Sequence, residues 1–226
     1  MDKKNQVKRI FDSIAYRYDL LNHLLSFGTD IYWRKKALRL SNLNSDATLL
    51  DIACGTGDFA ITSKKMGTRN IFGADLSLQM LRLFNKKAAW TAGRTVQMSA
   101  EFPSFKFDTF TNIIVAFGVR NFYDIKRSMV ELQKILKPNG KLTILEFSLP
   151  RNNVFRKLYI FYFNKILPFI GKIISKDKEA YKYLPQSVNE FDEKINLETI
   201  LKEADFGKVE VCLLSLGIVQ VIIATK

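Results

Sequence analysis

The sequence predicts an α/β domain built on a mostly parallel seven-stranded sheet, with an antiparallel last strand and helices on both faces. Three observations support this prediction. Short apolar runs alternate with helical patterns between residues 48 and 147, which is typical of right-handed β-α-β crossovers. A glycine-rich turn at residues 55–57 directly follows the first run. Two apolar runs, 209–214 and 218–224, are joined by a short link and predict a C-terminal hairpin.

The elements follow in order along a chain of 226 residues, of which 47% are hydrophobic, enough for a full core. Apolar residues at helical spacing predict helices over 5–41, before the first strand. Ser77 is the predicted N-cap of the helix after the second strand. A Lys-Pro-Asn-Gly sequence at 137–140 is expected to end the helix before the fifth strand. The predicted parallel strands are 48–53, 70–75, 95–98, 107–117 and 141–147, and the predicted helices after them include 59–66, 77–89, 124–136 and 197–204.

The domain organisation follows from the position of the glycine-rich turn and from the absence of repeats and of Pro/Gly/Ser linkers. We expect one domain over residues 1–226. Its predicted parts are a helical cap (1–45), a nucleotide-binding core (46–150), a helical insertion (151–190) and a C-terminal helix with the hairpin (191–226).

The formal net charge is +13, which favours an anionic partner such as a nucleic acid, an acidic membrane surface or an anionic ligand. Basic residues are densest in 151–178, with seven basic residues and one acidic residue. The same segment is rich in aromatic and aliphatic residues, which argues against nucleic acid and predicts a membrane interface or a channel for a lipophilic tail. The alternative is a lid that packs wholly on the core.

Two cysteines, Cys54 and Cys212, form neither a disulfide framework nor a four-ligand zinc site, so we expect a reducing compartment and no metal. The first residues are polar, and no apolar stretch predicts a signal peptide or a transmembrane helix. We therefore expect a cytoplasmic protein, with peripheral association at the inner face of the cell membrane as the further expectation. The oligomeric state stays open between a monomer and a homodimer.

The glycine-rich turn, Asp51-Ile-Ala-Cys-Gly-Thr-Gly-Asp58, predicts a nucleotide site. Asp75 ends the second predicted strand, 18 residues beyond Gly57, where a carboxylate can accept hydrogen bonds from ribose hydroxyls. The glycine spacing also fits a dinucleotide fingerprint. However, Asp51 and Asp58 disfavour a pyrophosphate and suit a ligand with an ammonium or sulfonium group. The turn therefore favours S-adenosylmethionine (SAM) over a nicotinamide dinucleotide.

The sequence resembles the MenG/UbiE family, the C-methyltransferases of menaquinone and ubiquinone synthesis, which have the Rossmann-like class I methyltransferase fold. The motif Phe117-Gly-Val-Arg-Asn121 and the N-terminal block are the most specific parts of this resemblance. The blocks that carry it are residues 7–19, 22–28 and 33–34; 50–58, 73–77 and 80–81; 117–121; and 144–148, continuing through Tyr159, Tyr162, Pro168, Gly171 and 181–184.

The resemblance implies a SAM site at the predicted carboxyl ends of the parallel strands. Asp75 would hold the ribose, and Ser99 with Ala100 would lie against the adenine. Ser99 departs from the family, which usually has Asp or Asn there, so a weaker adenine contact is expected. The implied cofactor-binding residues are Asp51 as a supporting group, Gly55, Thr56 and Gly57 in the turn, Asp75, Ser99 and Ala100.

The resemblance also implies methylation of a ring carbon of a polyprenyl quinol, with demethylmenaquinol preferred and the benzoquinol precursor of ubiquinone as the alternative. Arg120 would stabilise the substrate phenolate or polarise a water, Asn121 would orient either group, and Tyr18 would lie in a helix that covers the site. His23 is expected to be structural or to line the substrate site. Three other functions stay open: another small-molecule methyltransferase, a nicotinamide-dependent oxidoreductase, and a non-enzymatic protein that binds SAM or lipid.

Overall fold

The computed structural model describes residues 3–166 and 178–226, and the part of the insertion between them, which includes Pro168 and Gly171 of the family resemblance, lies outside these ranges. A seven-stranded sheet has the order β3-β2-β1-β4-β5-β7-β6. Of these strands β7 runs antiparallel to both of its neighbours, so the predicted fold class is confirmed. The strands are β1 Thr48–Ile52, β2 Asn70–Asp75, β3 Thr95–Gln97, β4 Phe110–Ala116, β5 Leu136–Phe147, β6 Lys208–Leu214 and β7 Val219–Thr225.

Three helices of the N-terminal cap precede β1, and helices alternate with the strands after it, as predicted. Ser77 is the N-cap of α5, because its hydroxyl accepts a hydrogen bond from the backbone N–H of Met80. The helices are α1 Lys3–Ile14, α2 Tyr18–Leu25, α3 Thr29–Leu40, α4 Asp58–Lys65, α5 Leu78–Lys87, α6 Ile125–Ile135, α7 Asn153–Phe161, α8 Lys178–Lys194 and α9 Leu197–Glu203.

One predicted boundary was wrong. Strand β5 begins at Leu136 rather than at Lys141, because Leu136 pairs with Phe110 of β4 and the turn residues are paired as well: Asn139 donates to the carbonyl of Lys226, and Lys226 donates to that of Gly140. In the insertion, α7 ends at Phe161 and the chain continues as a π-helical turn to Ile166.

Buried side chains form three hydrophobic clusters. Leu49 and Leu50 belong to different clusters because neighbouring side chains of a strand point to opposite faces of the sheet. The third cluster joins the cap to the insertion and to the end of β5, and this contact places both helical parts over the carboxyl ends of the strands. Its buried members are Ile10, Leu21, Leu149, Tyr159, Phe163 and Val188.

No helix within the described ranges is both long enough and apolar enough to cross a membrane.

Candidate active site

A cleft opens at the carboxyl ends of the parallel strands, where the connections from β1 and β4 leave in opposite directions. Open α/β sheets bind ligands at this position because the loops separate there. Four of the predicted cofactor residues, which come from the loops after β1, β2 and β3, line this cleft: Gly55, Asp75, Ser99 and Ala100.

Asp75 is held in place by two backbone hydrogen bonds. Its Oδ2 accepts from the N–H of Gly55 and its Oδ1 from the N–H of Ser77, each at 2.8 Å. Each carboxylate oxygen can still accept another hydrogen bond, which suits the two hydroxyls of a ribose. Burial raises the pKa of Asp75 to about 6, with the backbone hydrogen bonds opposing this shift.

The glycines of the turn have different surroundings. Gly55 has a φ of +55°, and a Cβ there would lie 3.7 Å from the Tyr18 ring, so its backbone faces the cleft. Gly57 has a φ of +85°, and a Cβ there would lie 2.0 Å from the Phe84 ring. Packing against Phe84 therefore explains the glycine at 57 without any ligand.

Asp51 and Thr56 line a small pocket beside the turn rather than the cleft itself. Asp51 accepts a hydrogen bond from the N–H of Ala60 at 3.0 Å, and burial raises the pKa of its carboxyl well above the usual range. The Thr56 hydroxyl donates to Asp19 of the cap. Direct cofactor contacts of Asp51, Thr56 and Gly57 stay predictions.

The residues present fit SAM. The Asp75 carboxylate is an acceptor for the ribose, and Gly55 leaves room for close approach to the backbone. Ser99 and Ala100 form the turn after β3, beside the apolar side chains of Met98 and Phe122, which suits an adenine ring. Sequence reasoning missed Glu101, whose buried carboxylate accepts from the N–H of Tyr123 at 2.8 Å and holds this turn near the loop after β4.

Arg120 follows β4 and is buried against Glu146 of β5. Its Nη1 donates to Glu146 Oε1 at 2.5 Å and to the carbonyl of Phe117 at 2.6 Å. Glu146 is fully buried and also accepts from the backbone N–H groups of Arg120, at 3.3 Å, and of Phe147, at 3.0 Å. Within the described residues, no acceptor lies within hydrogen-bond distance of Arg120 Nε. The sequence did carry a signal for Glu146, because an acidic residue inside an apolar strand is unusual. Sequence reasoning missed this residue.

A second cavity, of about 450 Å³, lies beside the cofactor cleft and is lined mainly by apolar side chains of the cap and the insertion. Arg120 lines this cavity. Phe11, Tyr18 and Phe117 line both cavities, so the two meet at these residues. The aromatic residues of the insertion that line it are Phe155, Tyr159, Tyr162 and Phe163, with Tyr183 from α8.

The three predicted catalytic residues line the two cavities, Arg120 the second cavity, Asn121 the cofactor cleft and Tyr18 both. Asn121 lines the cofactor cleft, and its Oδ1 accepts a hydrogen bond from the Tyr183 hydroxyl at 2.8 Å. Tyr18 borders both cavities, and burial raises the pKa of its hydroxyl. This placement supports their predicted roles, which stay predictions.

A charge cluster links the cap to the start of α4, with His23 Nδ1 lying 2.8 Å from Asp30 Oδ2. His23, Asp30 and Asp58 offer ligand atoms within 4.8 Å of one another, as a metal site would. Arg34 pairs with Asp30, and Lys87 lies 2.8 Å from Asp58, so cations of the protein already neutralise these carboxylates. The cluster therefore joins the helical cap to the core through ion pairs.

Comparisons with known proteins agree with this geometry. Residues 1–226 match the model of the ubiE/COQ5 methyltransferase family. The chain is 39% identical to the ubiquinone/menaquinone biosynthesis C-methyltransferase UbiE of Geotalea daltonii, over 100% of the chain and 98% of that protein. It is 40% identical to a demethylmenaquinone methyltransferase of Chlorobaculum parvum, over 92% and 87%.

Among solved structures, a SAM-dependent methyltransferase from Thermotoga maritima superposes with a TM-score of 0.68 at 19% identity, covering 97% of this chain and 99% of that one. This likeness establishes the fold. The match to the family model and the identities to UbiE and demethylmenaquinone methyltransferases extend over nearly the whole chain. The chain therefore belongs to the ubiE/COQ5 methyltransferase family, whose members use SAM.

Proposed function

We propose that this protein methylates a ring carbon of a polyprenylated quinol and converts demethylmenaquinol to menaquinol with SAM as the methyl donor. The observation that carries this proposal is the apolar cavity that meets the cofactor cleft at Phe11, Tyr18 and Phe117. An apolar ring with a prenyl chain fits such a cavity, because burial of apolar surface is the main source of its affinity. The names of the relatives agree with this substrate class.

The described residues of the helical cap and of the insertion that line the substrate cavity serve in this proposal as two of its walls. Bound SAM supplies a methyl group on a positively charged sulfur. The protein has to make the ring carbon electron-rich, which happens when the neighbouring hydroxyl loses its proton to a water in the cavity. After the methyl group has been transferred to that carbon, the ring C–H proton also leaves to water, which restores the aromatic ring. Arg120 cannot act as a base, because a guanidinium stays protonated in proteins. Its charge instead lowers the pKa of the bound hydroxyl and stabilises the phenolate, while Glu146 holds the guanidinium in position.

Asn121 and Tyr18 have supporting roles in this proposal. The Asn121 amide is oriented by Tyr183 and lies in the wall of the cofactor cleft, where it can position the reacting oxygen or a water. Tyr18 lines both cavities, and its ring shapes the contact between them. Its hydroxyl has a hydrogen bond with Asn22 and keeps its proton because burial raises its pKa, so it does not act as a base.

The test is methylation of a short-chain demethylmenaquinol under reducing conditions, followed by mass spectrometry, with the benzoquinol precursor of ubiquinone assayed in parallel. Product from the naphthoquinol supports the proposal. Product from the benzoquinol alone would assign the alternative substrate, and no product from either quinol would refute the proposal.

Arg120→Lys tests the role of the guanidinium. SAM affinity should persist because Arg120 lies outside the cofactor cleft, whereas single-turnover rates should fall by roughly 100- to 1000-fold, as for loss of one transition-state donor. The melting temperature is measured on the same preparation. A variant that melts early but methylates normally per folded molecule would show that Arg120 has no role in the reaction.

We also propose that the protein binds peripherally to anionic membranes at the inner face of the cell membrane. Apolar side chains are exposed around the mouth of the substrate cavity, including Phe27 at 79% and Leu158 at 61% exposure. Exposed basic residues Arg151, Lys157 and Lys165 lie on the same insertion. Apolar contact together with attraction to acidic headgroups gives weak binding that fades with salt.

Co-sedimentation with anionic vesicles at low and high salt measures this binding. Lys157→Glu should weaken it, whereas Lys137→Glu, at the start of β5 and the opposite end of the sheet, is the matched control. Vesicle binding that is equally strong at low and high salt, or an equal loss of binding in the two variants, would contradict the proposal.

The oligomeric state was left open between a monomer and a homodimer, and we propose the homodimer. Strand β6 is an edge strand whose Val211 and Leu213 are 43% and 40% exposed, so a second copy has an apolar edge to pair with. Sedimentation velocity at micromolar concentration distinguishes a dimer from a monomer.

A further inference from the structure

Two buried polar groups without hydrogen-bond partners belong to residues that line the substrate cavity. They are Arg120 Nε and the Tyr159 hydroxyl, and within the described residues neither has an acceptor or donor in reach. Buried polar groups in proteins are nearly always paired, because an unpaired one loses its hydration without compensation. Such groups in the wall of a cavity indicate where the polar atoms of a ligand bind.

The position of Tyr159 is fixed by packing. Tyr159 lies on α7 and is 8% exposed, and its ring stacks on Phe163 with the ring centroids 4.7 Å apart. Burial raises the pKa of the hydroxyl, and the positive charge of Arg120 opposes this shift, so the two groups act on each other electrostatically. The hydroxyl therefore keeps its proton at neutral pH and is available as a donor.

The other tyrosines of this cavity already have interactions. The Tyr183 hydroxyl donates to Asn121, and Tyr18 has a hydrogen bond with Asn22. Tyr162 also has an interaction partner. Among the tyrosines lining the described part of the cavity, Tyr159 is the one whose hydroxyl is buried without a hydrogen-bond partner.

We propose that the Tyr159 hydroxyl donates a hydrogen bond to a ring oxygen of the quinol, in the same cavity where Arg120 presents its free Nε–H. This inference rests on the proposed function and adds a residue that selects for oxygenated rings. A few polar groups in an otherwise apolar cavity set the orientation of a ligand. Tyr159 therefore helps to turn the acceptor carbon toward the contact with the cofactor cleft.

The test compares Tyr159→Phe with wild-type protein and with Tyr32→Phe, a matched control on the exposed surface of α3. Two ligands are titrated in the presence of S-adenosylhomocysteine. One is a short-chain demethylmenaquinol under reducing conditions, and the other is the same prenylated naphthalene without its two ring oxygens. Tyr159→Phe should bind the quinol roughly tenfold more weakly and the hydrocarbon unchanged, because the lost hydrogen bond needs a substrate oxygen. Tyr32→Phe should change neither affinity.

The melting temperature of the ligand-free variant is a second measurement. Because the hydroxyl has no partner in the ligand-free protein, Tyr159→Phe should be at least as stable as wild type. Equal losses of affinity for both ligands, unchanged affinity for the quinol, or a lower melting temperature would each overturn the inference.

This experiment also distinguishes the two proposals. Wild-type protein that does not methylate demethylmenaquinol contradicts the proposed function. Active wild-type protein, together with a Tyr159→Phe variant that discriminates between the two ligands as wild type does, contradicts only the role of Tyr159.

Discussion

Replacing Glu146 with Gln tests the buried ion pair that holds Arg120. Glu146 accepts three hydrogen bonds, one from the guanidinium and two from backbone N–H groups, and it is fully buried. Gln has the same shape but no charge, and its NH₂ group would face groups that are themselves donors. Removing one partner of a buried pair leaves the other charge uncompensated and costs about 3–5 kcal/mol of unfolding free energy.

Urea denaturation measures this loss, which in a chain of this size corresponds to a melting temperature lower by roughly 6–20 °C. Glu203→Gln is the matched control, because it removes the same charge from a pair with Lys126 in which both side chains are more than half exposed. The control should leave the unfolding free energy within experimental error. A loss from Glu146→Gln as small as that of the control would refute the reasoning. If Glu146 positions Arg120, turnover per folded molecule should also fall, by up to about 100-fold.

Three further predictions concern Asp75 in the cofactor cleft and Gly57 in the turn beside it. Asp75→Ala should weaken SAM binding by about 1–3 kcal/mol, because the ribose loses a charged acceptor. The pKa of Asp75 is about 6, and the ribose hydroxyls bind its ionised form, so the SAM affinity of wild type should be constant above that pH and fall below it. Calorimetry from pH 5 to 8 measures this dependence. Asp75→Asn should remove it, because the amide does not titrate. Gly57→Ala should lower the free energy of unfolding by about 2–5 kcal/mol, because the new Cβ meets the Phe84 ring and because residue 57 has a left-handed backbone conformation. Gly93 also has a left-handed backbone, with a φ of +70°, but nothing lies within 4 Å of a Cβ there, so Gly93→Ala should cost only about 1–2 kcal/mol. Equal losses of unfolding free energy in the two variants would show that the Phe84 ring moves aside without cost.

Much of the fold could be predicted from the sequence because its signals are local. The apolar runs and the Ser77 cap each depend on residues a few positions apart, and the structure has strands and a cap there. The turn at residues 55–57 and Asp75 could be paired in advance, because adjacent parallel strands bring their carboxyl ends together. Their hydrogen bond, from the Gly55 N–H to Asp75, follows from that topology.

The start of β5 could not be predicted in the same way. The sequence Lys-Pro-Asn-Gly is a local stop signal for a helix, and α6 does end just before it. The same residues extend the strand because Leu136 pairs with Phe110 of β4 and because Lys226, far along the chain, pairs with Asn139 and Gly140. Pairing of this kind leaves no trace in the local pattern.

The sequence by itself determined the fold class and the position of the cofactor cleft, because both follow from the periodicity of side chains and the order of strands. The residues expected near the reacting groups came from the family resemblance, and their catalytic roles stay predictions. Only the tertiary structure decided what several of these residues do. Gly57 packs on Phe84, Glu146 of β5 holds the guanidinium of Arg120 in the turn after β4, and Tyr159 lines the same cavity as Arg120 from the insertion. The physical reason is that burial, charge pairing and unpaired hydrogen bonds depend on which distant segments come together, and these contacts form only in the folded chain.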